Sequence, residues 1–303
     1  MRTCASDLPV EFLEQGRQNA VMSMKSPTVR HRRLGRELRR LRENAGLSVA
    51  EVAVQLGWSV SKVNRIENAR IALTPSSVSH ACDLFGADSS TKAGLIQLCK
   101  DAAVRGWWTA YHDVFGGSYV VLEADASVIR TWEPLLIPGL LQHKEYAQEL
   151  IRGGRPDLGA SDIERRVAAR MTRKIHLLGP NAPTFHALVD EGALRRPIGP
   201  SSVMACQLDD LLQVADRPNV TIQILPLAAG PHIGLDGAFS VLSFDPEDPD
   251  VGYTGCPGGD VYVEATDQVR SLRVAFERLI DTCLSPEEST AVIAEARSEH
   301  DRP

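Results

Sequence analysis

Two regimes of hydrophobic patterning divide the chain. Between residues 30 and 104 apolar side chains recur at three- and four-residue spacing, the period of a helix with one buried stripe. Residues 30–45 carry Leu34, Leu38 and Leu41 on one face, with arginines around the rest. A second helix starts at Ser48, where Ser48 and Glu51 have capping-box spacing, buries Val52, Ala53 and Leu56, and stops at Gly57. Ser59 caps a third, whose inward positions are Val63 and Ile66. Pro75 opens a fourth, with Val78, Ala81, Cys82 and Phe85 inside and Gly86 at its end. Residues 89–104 read as a fifth.

From Gly116 the period shortens. Residues 127–133 (SVIRTWE), 184–190, 219–225 (NVTIQIL), 238–244, 251–253 and 261–264 read as strands. Helices are predicted at 143–151, 161–178, 201–215, 267–282 and 286–297. Pro134 and Pro138-Gly139 bend the chain after the first strand. Ser161 and Glu164 have capping-box spacing, and Arg165, Arg166, Arg170, Arg173 and Lys174 mark 161–178 as a solvated or partner-facing helix. The expected fold is multidomain. Residues 1–25 form a flexible extension, 26–104 an all-α five-helix helix-turn-helix domain, and 105–303 an α+β domain with a mixed sheet.

The third helix has little to bury on its outer face, where Val60, Ser61, Asn64, Arg65 and Asn68 fall together. Arg makes bidentate contacts to guanine, Asn to adenine, Ser to either, and Val meets a thymine methyl. Ser59, Val60, Ser61, Asn64 and Arg65 are therefore the expected readers of base edges in a DNA major groove. Arg30, Arg32, Arg33, Lys62 and Arg70 are the expected phosphate contacts, since basic residues flanking a recognition helix fix its register. Small Ala53, turn residue Gly57 and the closing Ile66-Glu67-Asn68 resemble the xenobiotic-response-element, or phage-repressor-like, class of helix-turn-helix proteins. Ala69 departs from that class, which commonly has Gly there.

Overall charge changes the picture only once it is divided. The total is −6, yet residues 25–70 hold 11 Lys/Arg against 4 Asp/Glu, or +7, and with −1 in residues 1–24 this leaves −12 for residues 71–303. A basic end beside an acidic remainder suits a phosphate-neutralising module joined to a domain with another partner. The 43% hydrophobic and 24% charged content is that of a globular protein, and no apolar run is long enough to span a membrane. Residues 1–24 do not resemble a secretory signal. Six scattered cysteines without a C-x-x-C pair read as thiols of a reducing cytoplasm, Cys82 and Cys99 as core.

Chemistry in the second domain is sparse. His186 and Asp190 would share a strand face, with Glu191 next, but no nucleophile motif or phosphate loop accompanies them, so structural roles are expected. No metal-ligand spacing is present, no cofactor is expected and no catalytic residue is assigned. Gly258-Gly259 reads as a turn, and Trp107-Trp108 as packing at the domain junction.

A second resemblance rests on WWTAY (107–111), RTWEPLLIPGLLQ (130–142), DEGALRRPIG (190–199), QLDDLL (207–212), NVTIQILP (219–226), GLDGAFSVLSF (234–244) and LSPEES (284–289). These resemble a family of filamentous-bacterial regulators in which a helix-turn-helix precedes an antitoxin-like domain of poorly known activity. The resemblance implies a very short protein encoded nearby, or a small-molecule ligand, as partner of residues 105–303. A homodimer on double-stranded DNA is the expected assembly. The alternatives are an antitoxin-like protein that sequesters its small partner and autoregulates, and an enzyme fused to a DNA module.

Overall fold

The computed structural model describes residues 29–103, 110–111, 113–114, 119–180, 182–244, 248–256 and 259–300. The extension at 1–25 and the Trp107-Trp108 pair lie outside these residues.

Five helices form the first domain: α1 (Val29–Asn44), α2 (Val49–Leu56), α3 (Val60–Glu67), α4 (Pro75–Leu84) and α5 (Ser89–Ala102). Their starts are fixed by side chains. Ser48 and Glu51 close the capping box of α2, Ser59 accepts from Lys62 N–H at α3, and Thr74 caps α4 ahead of Pro75. Their ends repeat one device. At Gly46, Gly57, Ala69 and Gly86 the chain turns left-handed, and the following N–H reaches back five residues, as Trp58 does to Ala53 and Arg70 to Arg65. One core of Leu34, Leu38, Ile66, Val78, Cys82 and Cys99 holds α1, α3, α4 and α5 together.

The second domain is built on a six-stranded mixed sheet of order β3-β2-β1-β4-β5-β6. Its strands are β1 (Val128–Glu133), β2 (Thr184–Asp190), β3 (Val220–Leu225), β4 (Phe239–Ser243), β5 (Val251–Cys256) and β6 (Gly259–Val263). β1, β2 and β3 run parallel, and β4 to β6 continue antiparallel. Parallel pairing needs long crossovers. α7 (Lys144–Gly154) and α8 (Ala160–Leu178) supply one between β1 and β2; α9 (Glu191–Arg195) and α10 (Ser201–Ala215) supply the next. α6 (Tyr119–Asp125) precedes β1, while α11 (Thr266–Ile280) and α12 (Pro286–Glu299) follow β6.

Alternation along the strands separates two cores. Ile129, Phe185, Ala187, Ile222, Ile224 and Leu242 pack with α10 and α12, whereas Trp132, Leu188 and Leu225 meet Phe276 and Leu279 of α11. Two sequence expectations are corrected at α8. Gly159, not Ser161, is its N-cap, and no side chain caps it, because the helix begins one residue earlier and takes Ser161 into its first turn. Nor are its charges simply solvated: Arg173 is bidentate to buried Glu123, Arg170 bonds Gln142, and Lys174 pairs with Asp210. β5 extends to Cys256, beyond the expected 253, because it pairs with β6 along its length.

Candidate nucleic-acid interface

α3 presents the surface its pattern demands. Val63 and Ile66 are buried; Ser59, Val60, Ser61, Asn64, Arg65, Asn68 and Arg70 are exposed. Ser59 spends its hydroxyl on the cap, and Asn68 donates to Asn64 O at 2.7 Å. Lys62 is half-buried, its ammonium 4.5 Å from the Trp58 ring centroid.

Two features lock α3 in place. Arg42 of α1 reaches Glu67 through two bonds of 2.6 and 2.9 Å and also donates to Leu47 O, so one guanidinium ties the end of α3 to the turn before α2. Both side chains are at most 10% exposed. Gly35 lies against the same end, where an added Cβ would sit 2.8 Å from Ile66 O and 2.9 Å from Glu67 O. Sequence reasoning named neither residue. The signal available for Gly35 was a glycine inside an otherwise strong helix, which has a packing reason when it persists.

The arginines opening α1 face the second domain. Arg32 lies 2.9 Å from Glu264, Arg30 lies 3.7 Å from Asp125, and Arg36 pairs with Asp248. Arg33 is half-buried on the same turn. Burial lowers the pKa of the Arg32 guanidinium, opposed by Glu264. Beside these acids, Asp248, Asp250, Glu264 and Glu277 line a groove of about 510 Å³ under α11.

Residues 33–93 match a helix-turn-helix domain, and residues 117–295 match a domain of unknown function (DUF5753). The chain belongs to the DUF5753 family. No curated protein and no solved structure gives a match. The helix-turn-helix match and the exposed face of α3 together make the chain a DNA-binding regulator.

Within the DUF5753 domain, the residues with acid/base potential have structural work. His186 Nε2 lies 2.8 Å from Gln223 Oε1, its ring meets Phe276 edge-on, and burial lowers its pKa. Asp190 accepts from Gly192 N–H to cap α9, and Glu191 accepts from Leu227 N–H while pairing with Arg195. Among the described residues no group of three His, Cys, Asp or Glu is placed to hold a metal, and no helix is long and apolar enough to cross a membrane. Cys82 and Cys99 are buried in the first domain's core.

Proposed function

We propose that the protein is a sequence-specific transcriptional regulator that inserts α3 into the major groove and is controlled through its DUF5753 domain. The exposed row of Ser61, Asn64 and Arg65 on a helix otherwise fixed by buried Val63 and Ile66 carries this reading. Such a row has donors and acceptors at base-edge spacing and nothing apolar to hide. One such motif covers few base pairs, so a homodimer on a two-fold operator completes the site.

Control by a small protein or a ligand has its own support. Two of the α1 arginines expected on phosphates, Arg30 and Arg32, are paired with Asp125 and Glu264 of the second domain, and Arg36 beside them pairs with Asp248. Phosphates and these carboxylates compete for one set of guanidiniums, so whatever shifts the DUF5753 domain relative to α1 alters DNA affinity.

Substitution separates the roles of the basic residues. Arg65→Ala is expected to cost about 1–3 kcal/mol on the operator and to relax discrimination at one or two positions, with binding to random DNA little changed. Arg33→Ala should weaken both alike and flatten the salt dependence by about one phosphate contact. Equal losses on operator and random DNA for Arg65→Ala, measured by titration at fixed salt, would remove it from the base-reading set.

A further inference from the structure

A cavity of about 230 Å³ opens on the α8 side of the sheet, roofed by the bend that follows β1. Its floor is the cross-strand row Thr131, Ser240 and Tyr253, with Glu133 at the end of β1 beside it. α6 contributes Tyr119 and Glu123, and α8 contributes Arg170 and Arg173. Most of the polar groups here are satisfied within the protein. Arg173 and Glu123 form a bidentate pair at 2.8 and 2.7 Å, and Thr131 and Ser240 bond each other. Gln142 uses its amide N–H on Ile137 O and its oxygen on Arg170.

Two groups are left over. Arg170 makes one hydrogen bond, from Nη1 to Gln142, and its remaining donors have no protein acceptor among the described residues. Glu133 has neither hydrogen bond nor ion pair there, and the two opposite charges share the cavity without closing on each other. Keeping a carboxylate and a guanidinium partly buried and apart is costly, and an apolar filling would be cheaper if the place were only structural. The remaining walls are apolar, with Leu136, Leu140, Leu150 and Phe185 among them.

We propose that this cavity binds a free α-amino acid with an apolar side chain, its carboxylate on Arg170, its ammonium on Glu133 and its side chain against the leucines and Phe185. A zwitterion supplies the two missing partners at once, as charge-assisted hydrogen bonds. The volume corresponds to about eight water molecules at ~30 Å³ each, which suits a ligand of on the order of ten non-hydrogen atoms. Occupancy has a short route to the DNA module. α6 carries Glu123 on the cavity and, two residues on, Asp125 on Arg30. The inference deepens the control half of the proposed function and rests on that reading only for its regulatory consequence.

Calorimetric and thermal-melt titrations of the full chain, without DNA, test it against the proteinogenic amino acids, each beside its deaminated acid and its decarboxylated amine. An apolar amino acid is expected to raise Tm by about 3–5 °C at roughly ten times Kd. Its deaminated acid and its amine should each bind about tenfold or more weakly, the loss of one charge-assisted contact. Glu133→Gln should reduce affinity for the amino acid to that of the deaminated acid, and Arg170→Gln to that of the amine. Glu133→Gln removes a charge and no contact within the protein, so it holds the test should Arg170→Gln fail to fold. Absence of binding by every amino acid, equal binding of the deaminated acid, or an unchanged Kd in Glu133→Gln would each overturn the assignment. Because DNA is absent, such a result leaves groove reading by α3 standing, and a failed operator titration leaves the cavity untouched.

Discussion

At the scale of single residues, Ala69 stands apart. Four helix ends in the DNA-binding domain use the same left-handed closure; three have glycine, and Ala69, at φ 53°, is the one non-glycine with positive φ among the described residues. A side chain in that conformation costs about 1–2 kcal/mol, against roughly 0.8 kcal/mol recovered by burying its methyl. Ala69→Gly is therefore expected to stabilise the domain by about 0.5–1 kcal/mol, read as a higher urea midpoint at unchanged m-value. Glu133 carries the opposite kind of strain. Burial raises its pKa from the ordinary 4.5 to about 7, against the pull of Arg170 and Arg173. Glu123 and Tyr119 of α6, Tyr253 of β5 and Tyr146 of α7 are the other titratable groups around it. A carboxyl whose folded pKa is raised contributes its stability in full below about pH 4.5 and loses it as pH rises through about 7. Glu133→Gln cannot ionise, so it should exceed the parent in stability by up to about 3 kcal/mol above pH 8, with the difference gone near pH 4. Parallel pH–stability curves for the two proteins would contradict this.

At the scale of elements, the seat of α3 is set by a close backbone approach. Gly35→Ala places a methyl under 3 Å from two carbonyl oxygens of Ile66 and Glu67, atoms with no rotamer to yield. The helix propensity gained, about 1 kcal/mol, is smaller than the 1–3 kcal/mol of overpacking, so the net effect is destabilising. Because α3 must tilt to make room, affinity should fall on operator and random DNA together, unlike the selective loss at Arg65. Most of this domain was legible in the sequence, because caps, glycine stops and the 3.6 period are local signals that agree with one another. What escaped was the tertiary use of charged and small residues. On α8, Arg173 sits between Ala169 and Leu177, and Arg170 follows Ile163 and Val167, on the stripe that the apolar residues occupy. Read by residue type those arginines belong outside; read by position they belong inside. Only a partner distant in sequence, Glu123 for Arg173, decides between the two. Strand existence was likewise readable from alternation, whereas the order of the sheet, with β1 between β2 and β4, depends on pairings that no local pattern encodes.

At the scale of the whole molecule, the segregation of +7 and −12 along the chain acquires a geometric meaning. The basic start of α1 is held against acids of the DUF5753 domain through Arg30–Asp125, Arg32–Glu264 and Arg36–Asp248. An exposed ion pair contributes about 0–1 kcal/mol, but Asp248 is only 6% exposed, so its share lies toward the upper end. If these carboxylates compete with phosphates, neutralising two of them shifts the balance toward DNA. Asp248→Asn with Glu264→Gln should bind operator and random DNA about three- to tenfold more tightly at low salt, the gain shrinking as salt screens both contests. Because the substitutions leave α3 untouched, the ratio of operator to random affinity should stay constant. Were the pairs merely structural, loosening the two domains would leave affinity equal or lower. The salt titration decides between the two by its sign.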